Sequence, residues 1–131
     1  GRLSVVLADA ARLPALVERW YRRQAAAHLG GLAARHAEGL GVAYGRLTVR
    51  DPRSRWGSCS SGGTLSLSWR LMMAPARVAE YVVVHEVAHL AEMHHGPRFW
   101  ALVARTMPDM DEAKRWLQVY GMALHRYGVE G

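Results

Sequence analysis

Between Leu13 and Ala37 the apolar residues Leu13, Leu16, Val17, Trp20, Tyr21, Leu29, Leu32 and Ala33 recur at three- and four-residue steps, while Glu18, Arg19, Arg22 and Arg23 fill the other face. This period predicts an amphipathic helix, with a break near Gly30-Gly31 and closure at Glu38-Gly39-Leu40-Gly41. From Gly45 to Ala74 the period shortens to two. Arg46 to Asp51 alternates, and the run from Arg55 to Trp69 reads as two short strands around Ser60-Ser61-Gly62-Gly63. Leu65, Leu67 and Trp69 point to one side and Thr64, Ser66 and Ser68 to the other, which predicts a small antiparallel sheet with one buried face. Pro75 suits the first turn of a helix that runs from Ala76 to about Met93. Tyr81-Val82-Val83-Val84 would suit a strand by propensity, but the run lies in a long breaker-free segment, so helix is the expectation. Gly96-Pro97 ends that helix and opens another to Thr106, and Pro108-Asp109 precedes a last one to Tyr120. The order is a long helix, a small sheet and three helices: an α+β fold, read as one domain over residues 1–131.

Composition narrows the class. The chain has 131 residues, 50% of them hydrophobic, enough for a core. No run of 18 apolar residues occurs. The N-terminal stretch is interrupted by Asp9 and Arg12 and makes a poor signal peptide. A lone cysteine, Cys59, excludes an internal disulfide framework, so a cytoplasmic setting is expected. Formal net charge is +6, nearly all of the positive charge being arginine, with Lys114 the single lysine. A basic domain attracts polyanions, so nucleic acid is a permissible partner, although the arginines are scattered rather than clustered.

The polar exceptions to the hydrophobic pattern carry the chemistry. Val82 to Trp100 places four histidines and two glutamates in a run that otherwise reads as buried helix. His85 and His89 stand four apart, about 40° around a helix axis, so both imidazoles can reach one point. Glu86 lies on the adjoining flank. This is the H-E-x-x-H arrangement of two zinc ligands and a glutamate general base. One zinc per chain is expected, and a catalytic zinc takes three protein ligands and leaves the fourth position for water. His95 adjoins the Gly96-Pro97 turn and can fold back onto the metal; His94 competes for that position, as does Glu92, which could instead hydrogen-bond the His89 ring. Unpartnered, so many polar groups on an apolar helix would be costly, and a metal removes that cost. Cys59 is a further competitor as ligand, but a small buried residue is the expected role.

Ser54 to Pro75, with its Trp56-Gly57-Ser58-Cys59 segment, and Tyr81 to Trp100, with His85-Glu86-x-x-His89 and His95-Gly96-Pro97-x-Phe99-Trp100, resemble the YgjP-like zinc metallopeptidases, small zincins related to the SprT-like proteases. The resemblance extends over roughly residues 53–117. It implies a zincin-like fold, His85, His89 and His95 as zinc ligands and Glu86 as the catalytic carboxylate. The residue before the third histidine is commonly asparagine in that family and is His94 here. Family members are usually longer, with a strand-rich segment upstream, so the chain would correspond to the C-terminal part of that architecture.

The activity implied is peptide hydrolysis by a zinc-activated water with Glu86 exchanging the proton. Trp56, Gly57 and Ser58 could form a strand edge that holds an extended peptide or protein substrate. Tyr120, Arg98, His94 and Arg55 are open candidates for a second electrophile. A nucleoside triphosphate (UTP-type) pyrophosphatase, an activity attached to some YgjP-like proteins, is the alternative, against which stand the missing phosphate-cradling glycine loop and acidic magnesium cluster. A metal-stabilised nucleic-acid-binding module is a third reading, and it would have no use for Glu86.

Overall fold

A computed structural model of the chain describes residues 14–50 and 55–126. Helix α1 (Pro14–Leu40) is followed by strands β1 (Arg46–Arg50), β2 (Gly57–Cys59) and β3 (Thr64–Ser68), and a 3-10 turn (Trp69–Met73). Helices α2 (Ala76–Ala88), α3 (Pro97–Thr106) and α4 (Met110–Arg126) complete the order. Leu13 lies outside the described residues. Helix α1 passes through Gly30-Gly31 without the expected break. Its buried stripe, Tyr21, Ala25, Leu29, Ala33 and Ala37, is spaced by four residues and continues across that point, so packing offsets the weak helix preference of glycine. The helix closes at Gly41, whose φ of +72° is cheap only for glycine. The Gly41 and Val42 N–H groups donate to the Glu38 and Ala37 carbonyls at 3.2 and 2.9 Å, satisfying the last turn. Leu16 and Trp20 are exposed rather than part of the buried stripe.

The sheet has the order β1-β3-β2. β2 and β3 form the expected antiparallel hairpin, with Gly57 opposite Leu67 and Cys59 opposite Leu65. β1 differs from the all-antiparallel expectation: it pairs parallel to β3, Arg46 opposite Thr64 and Arg50 opposite Ser68. Alternation identifies a half-buried strand but carries no information on direction. Leu65 and Leu67 are buried as predicted, and on the opposite face the Thr48 and Ser66 hydroxyls lie 2.9 Å apart across the β1–β3 pair.

Helix α2 is the centre of the molecule. Val78, Ala79, Tyr81 to Val84, Val87 and Ala88 are all buried, so apolar residues surround most of its circumference. That explains why its β-branched run reads ambiguously: a helix buried on every side shows no period. It ends at Ala88, earlier than the expected Met93, because successive turns at His89, Leu90 and Ala91 donate to Glu86, Val87 and Ala88. Helix α3 spans the predicted residues, and α4 continues through Gly121 to Arg126. A polar clasp joins α1 to α2 and to the α3–α4 connection. Glu80 accepts from Arg35 at 3.1 Å and Arg77 at 3.0 Å and lies 2.7 Å from His36 Nε2, while Arg77 also donates to Asp109 at 2.7 and 2.8 Å. Among the described residues no helix is long and apolar enough to cross a membrane.

Candidate active site

The last turn of α2 and the loop behind it converge. His85 is on the helix, His89 caps its end, and the Gly96 N–H donates to the His94 carbonyl at 2.7 Å, a tight turn that returns His95 to the helix. The His95 Nε2 atom lies 3.2 Å from Nε2 of His85 and 2.9 Å from Nε2 of His89. Among the described residues these are the three metal-capable side chains that share one point, their ligand atoms within 4.8 Å of one another. His94 is exposed and Glu92 half-buried, and neither joins the cluster. Glu92 contributes through its backbone: its carbonyl is 3.1 Å from His89 Nδ1. A carbonyl only accepts, so the proton sits on Nδ1 and the Nε2 lone pair faces the cluster.

The geometry fits a metal. A proton on one ring nitrogen can serve one of the two short contacts of His95, never both, leaving an unsatisfied lone pair that a cation would satisfy. Two nitrogens bound to a tetrahedral zinc at about 2.0–2.1 Å are about 3.4 Å apart, close to the observed separations. Electrostatics favours the same state. Burial, then His89, His95 and Lys114, push His85 down to about 4, and burial also lowers His89, so these rings are held neutral as ligands must be. Phe99, fully buried at the start of α3, touches all three rings at centroid distances of 4.9 Å from His85, 4.4 Å from His89 and 4.9 Å from His95. It packs against the three ring planes and helps fix them.

Glu86 is buried on the flank beside the cluster, and burial raises its carboxyl to about 7 against an opposing pull from Arg55. It packs on β2. A side-chain carbon added at Gly57 would come within 3.0 Å of Glu86 Cγ, 3.2 Å of Leu67 Cδ2 and 3.2 Å of the Ser66 carbonyl oxygen. Gly57 is therefore required for Glu86 to lie against the sheet edge.

A groove runs along this edge in two lobes that share Arg55, Gly57, His85 and Glu86. One, of about 350 Å³, is walled by Trp56, Tyr81, Lys114 and Gln118; the other, of about 300 Å³, by Ser58, Cys59, His89, Met93 and His95. Trp56, Gly57 and Ser58 all line the groove. Trp56 also packs on α4, where a side-chain carbon at Gly121 would stand 3.2 Å from its indole nitrogen. Of the candidate electrophiles, Arg55 lines both lobes, whereas Arg98, His94 and Tyr120 line neither. Cys59 is outside the nitrogen cluster, and its thiol is pushed up by burial and by Glu86. Sequence reasoning missed Tyr81 and Lys114. Tyr81 stands one helical turn before His85 and could have been found from that spacing; Lys114 arrives from α4, which no local pattern shows.

Convergent imidazole nitrogens suit a divalent metal and a groove along a sheet edge suits an extended chain. A peptidase working through a metal ion is the class that unites them. Sequence comparison places the chain in that class: residues 2–120 match the model of the YgjP-like, metallopeptidase domain, and the chain belongs to this family. Among solved structures, the metallopeptidase zymogen abylysin of Pyrococcus abyssi is similar, with a TM-score of 0.62, 23% sequence identity, and coverage of 77% of this chain and 99% of that one. At that identity the likeness speaks for the fold. No curated protein matches the sequence significantly.

Proposed function

We propose that His85, His89 and His95 hold one zinc ion through their Nε2 atoms and that Glu86 is the general base of peptide-bond hydrolysis. The observation that carries this is the meeting of the three Nε2 atoms, 2.9 and 3.2 Å from His95, next to a buried carboxylate. A zinc ion held there would supply Lewis acidity and lower the pKa of a water from about 15.7 to roughly 7. Glu86 would take that proton at a carboxylate oxygen and return it to the leaving amine; burial raises its carboxyl in the metal-free protein. Tyr81, its phenol pushed up to about 12 by burial, then Glu86 and Asp111, keeps its proton throughout.

The peptide lies along β2, the edge strand nearest the cluster. Ser68 N–H donates to the Trp56 carbonyl and Ser60 N–H to the Thr64 carbonyl, so even-numbered residues of β2 turn their backbone groups toward β3. By alternation the N–H and C=O of Gly57 and Cys59 face outward, unpaired among the described residues and able to bond an added strand. Within the Trp56-Gly57-Ser58 segment, Gly57 thus supplies the main-chain bonds, while Trp56 and Ser58 wall the two lobes.

Elemental analysis should find about one zinc per chain. Glu86→Gln should keep the metal and lose hydrolysis of unstructured peptides, and a chelator should silence the wild type. Undiminished turnover by Glu86→Gln would remove Glu86 from the chemistry.

A further inference from the structure

The larger lobe has a charge that its apolar walls do not need. Arg55 from the β2 approach and Lys114 from α4 both line it, against a single lining carboxylate, Glu86. Neither cation forms an ion pair with the described residues. Lys114 is half-buried, its ammonium held 4.3 Å from the centre of the Trp100 ring, which lies 5.8 Å from the rings of both His85 and His95. The ring fixes the charge beside the metal cluster rather than letting it swing into solvent. Asp111 reaches the Tyr81 hydroxyl electrostatically but does not line the lobe. The opposite lobe has no lysine and takes its character from Ser58, Cys59 and Met93.

We infer that the Tyr81–Lys114 lobe is a specificity subsite for a carboxylate, carried by an acidic side chain or by the free C-terminus of the peptide. Two cations converging on a cleft of about 350 Å³ give a carboxylate charge-assisted hydrogen bonds, while Trp56, Val82 and Leu117 take the methylenes that carry it. An uncharged residue makes no charge-assisted hydrogen bond with either cation, and a basic one is repelled. The subsite rests on the peptidase reading but concerns recognition rather than turnover.

The test measures binding and cleavage separately on the zinc-loaded full chain. The probes are peptides with a reduced, uncleavable scissile bond, paired as Glu and Gln at each position and made with free or amidated C-termini. The acid-bearing member should bind about tenfold tighter at low ionic strength. Lys114→Gln should reduce that advantage to about twofold, Lys114→Glu should transfer it to a lysine-bearing peptide, and Lys114→Arg should keep it. Thermal melts of the three variants establish that each is folded. Loss of preference on amidation assigns the terminal carboxylate, and loss on Glu-to-Gln exchange assigns the side chain. Equal affinity of all four peptides overturns the subsite. Cleavable peptides separate the two readings: hydrolysis without any acid preference in binding leaves the peptidase and removes the subsite, whereas charge-dependent binding without hydrolysis does the reverse.

Discussion

Gly57→Ala adds a single methyl group where the sheet edge meets the helix that carries Glu86. The new carbon would stand 3.0 Å from Glu86 Cγ, 3.2 Å from Leu67 Cδ2 and 3.2 Å from the Ser66 carbonyl oxygen. Ordinary contact begins at about 3.5 Å, so each neighbour is too near by a few tenths of an ångström. Ser66 is fixed by its pairing with Ser58 and Leu67 is buried in the core. The flexible partner is Glu86, which yields by moving its carboxylate. Overpacking of this kind costs about 1–3 kcal/mol of stability, and misplacing a reacting group by about 1 Å costs on the order of a hundredfold in rate. Gly57→Ala should therefore unfold at lower denaturant, lower kcat by about ten- to a hundredfold, and still bind one metal per chain, since the three atoms nearest the new carbon belong to Glu86, Leu67 and Ser66 rather than to a histidine. A double-mutant cycle with Glu86→Gln, read on its small residual rate, isolates the cause, because the rate penalty should nearly vanish where the carboxylate is already gone. Wild-type kcat in Gly57→Ala, or the same penalty with and without Glu86, would refute the claim that the strand positions the base.

Other outcomes follow from the same contacts. In metal-free protein the raised Glu86 carboxyl binds its proton more tightly folded than unfolded, so its contribution is full below about 4.5 and is lost as pH rises through about 7. Glu86→Gln removes that loss, and chelated variant and wild type, compared by denaturant unfolding at pH 8, should differ by about 3 kcal/mol in favour of the variant. Equal stability at both ends of the range would show that Glu86 is better solvated than its burial indicates. Phe99→Leu, which keeps an apolar side chain but loses the flat ring against three imidazoles, should weaken zinc by about tenfold in a competition titration while the fold survives. Glu80→Gln loosens the clasp of Arg35, His36 and Arg77 and should cost about 1 kcal/mol at low salt and less at high salt. Burial opposes ionisation of Glu80, but the bonds from His36 and Arg77 win and hold its carboxyl below the usual range. Its stabilisation is thus present above that usual range and lost as pH falls through the depressed value, a limb that Glu80→Gln should erase from the acid unfolding curve.

The sequence by itself determined the elements and the chemistry of the cluster. Period and breakers located α3, the β2–β3 hairpin and the start of α2, and local spacing put His85, Glu86 and His89 on one turn, because helix geometry is fixed by the chain alone. The preference for His95 over His94 came mainly from the family resemblance, and the tertiary structure brings His95, not His94, to His85 and His89. The direction of β1, the continuity of α1 through Gly30-Gly31 and the early end of α2 at Ala88 were decided by tertiary packing. So were the contact of Gly57 with Glu86, the Phe99 ring over three imidazoles and the arrival of Lys114 from α4. Local periodicity reports what a residue needs to bury, not which distant surface buries it. The groove and its charge arise from partners far apart along the chain, and only folding brings them together.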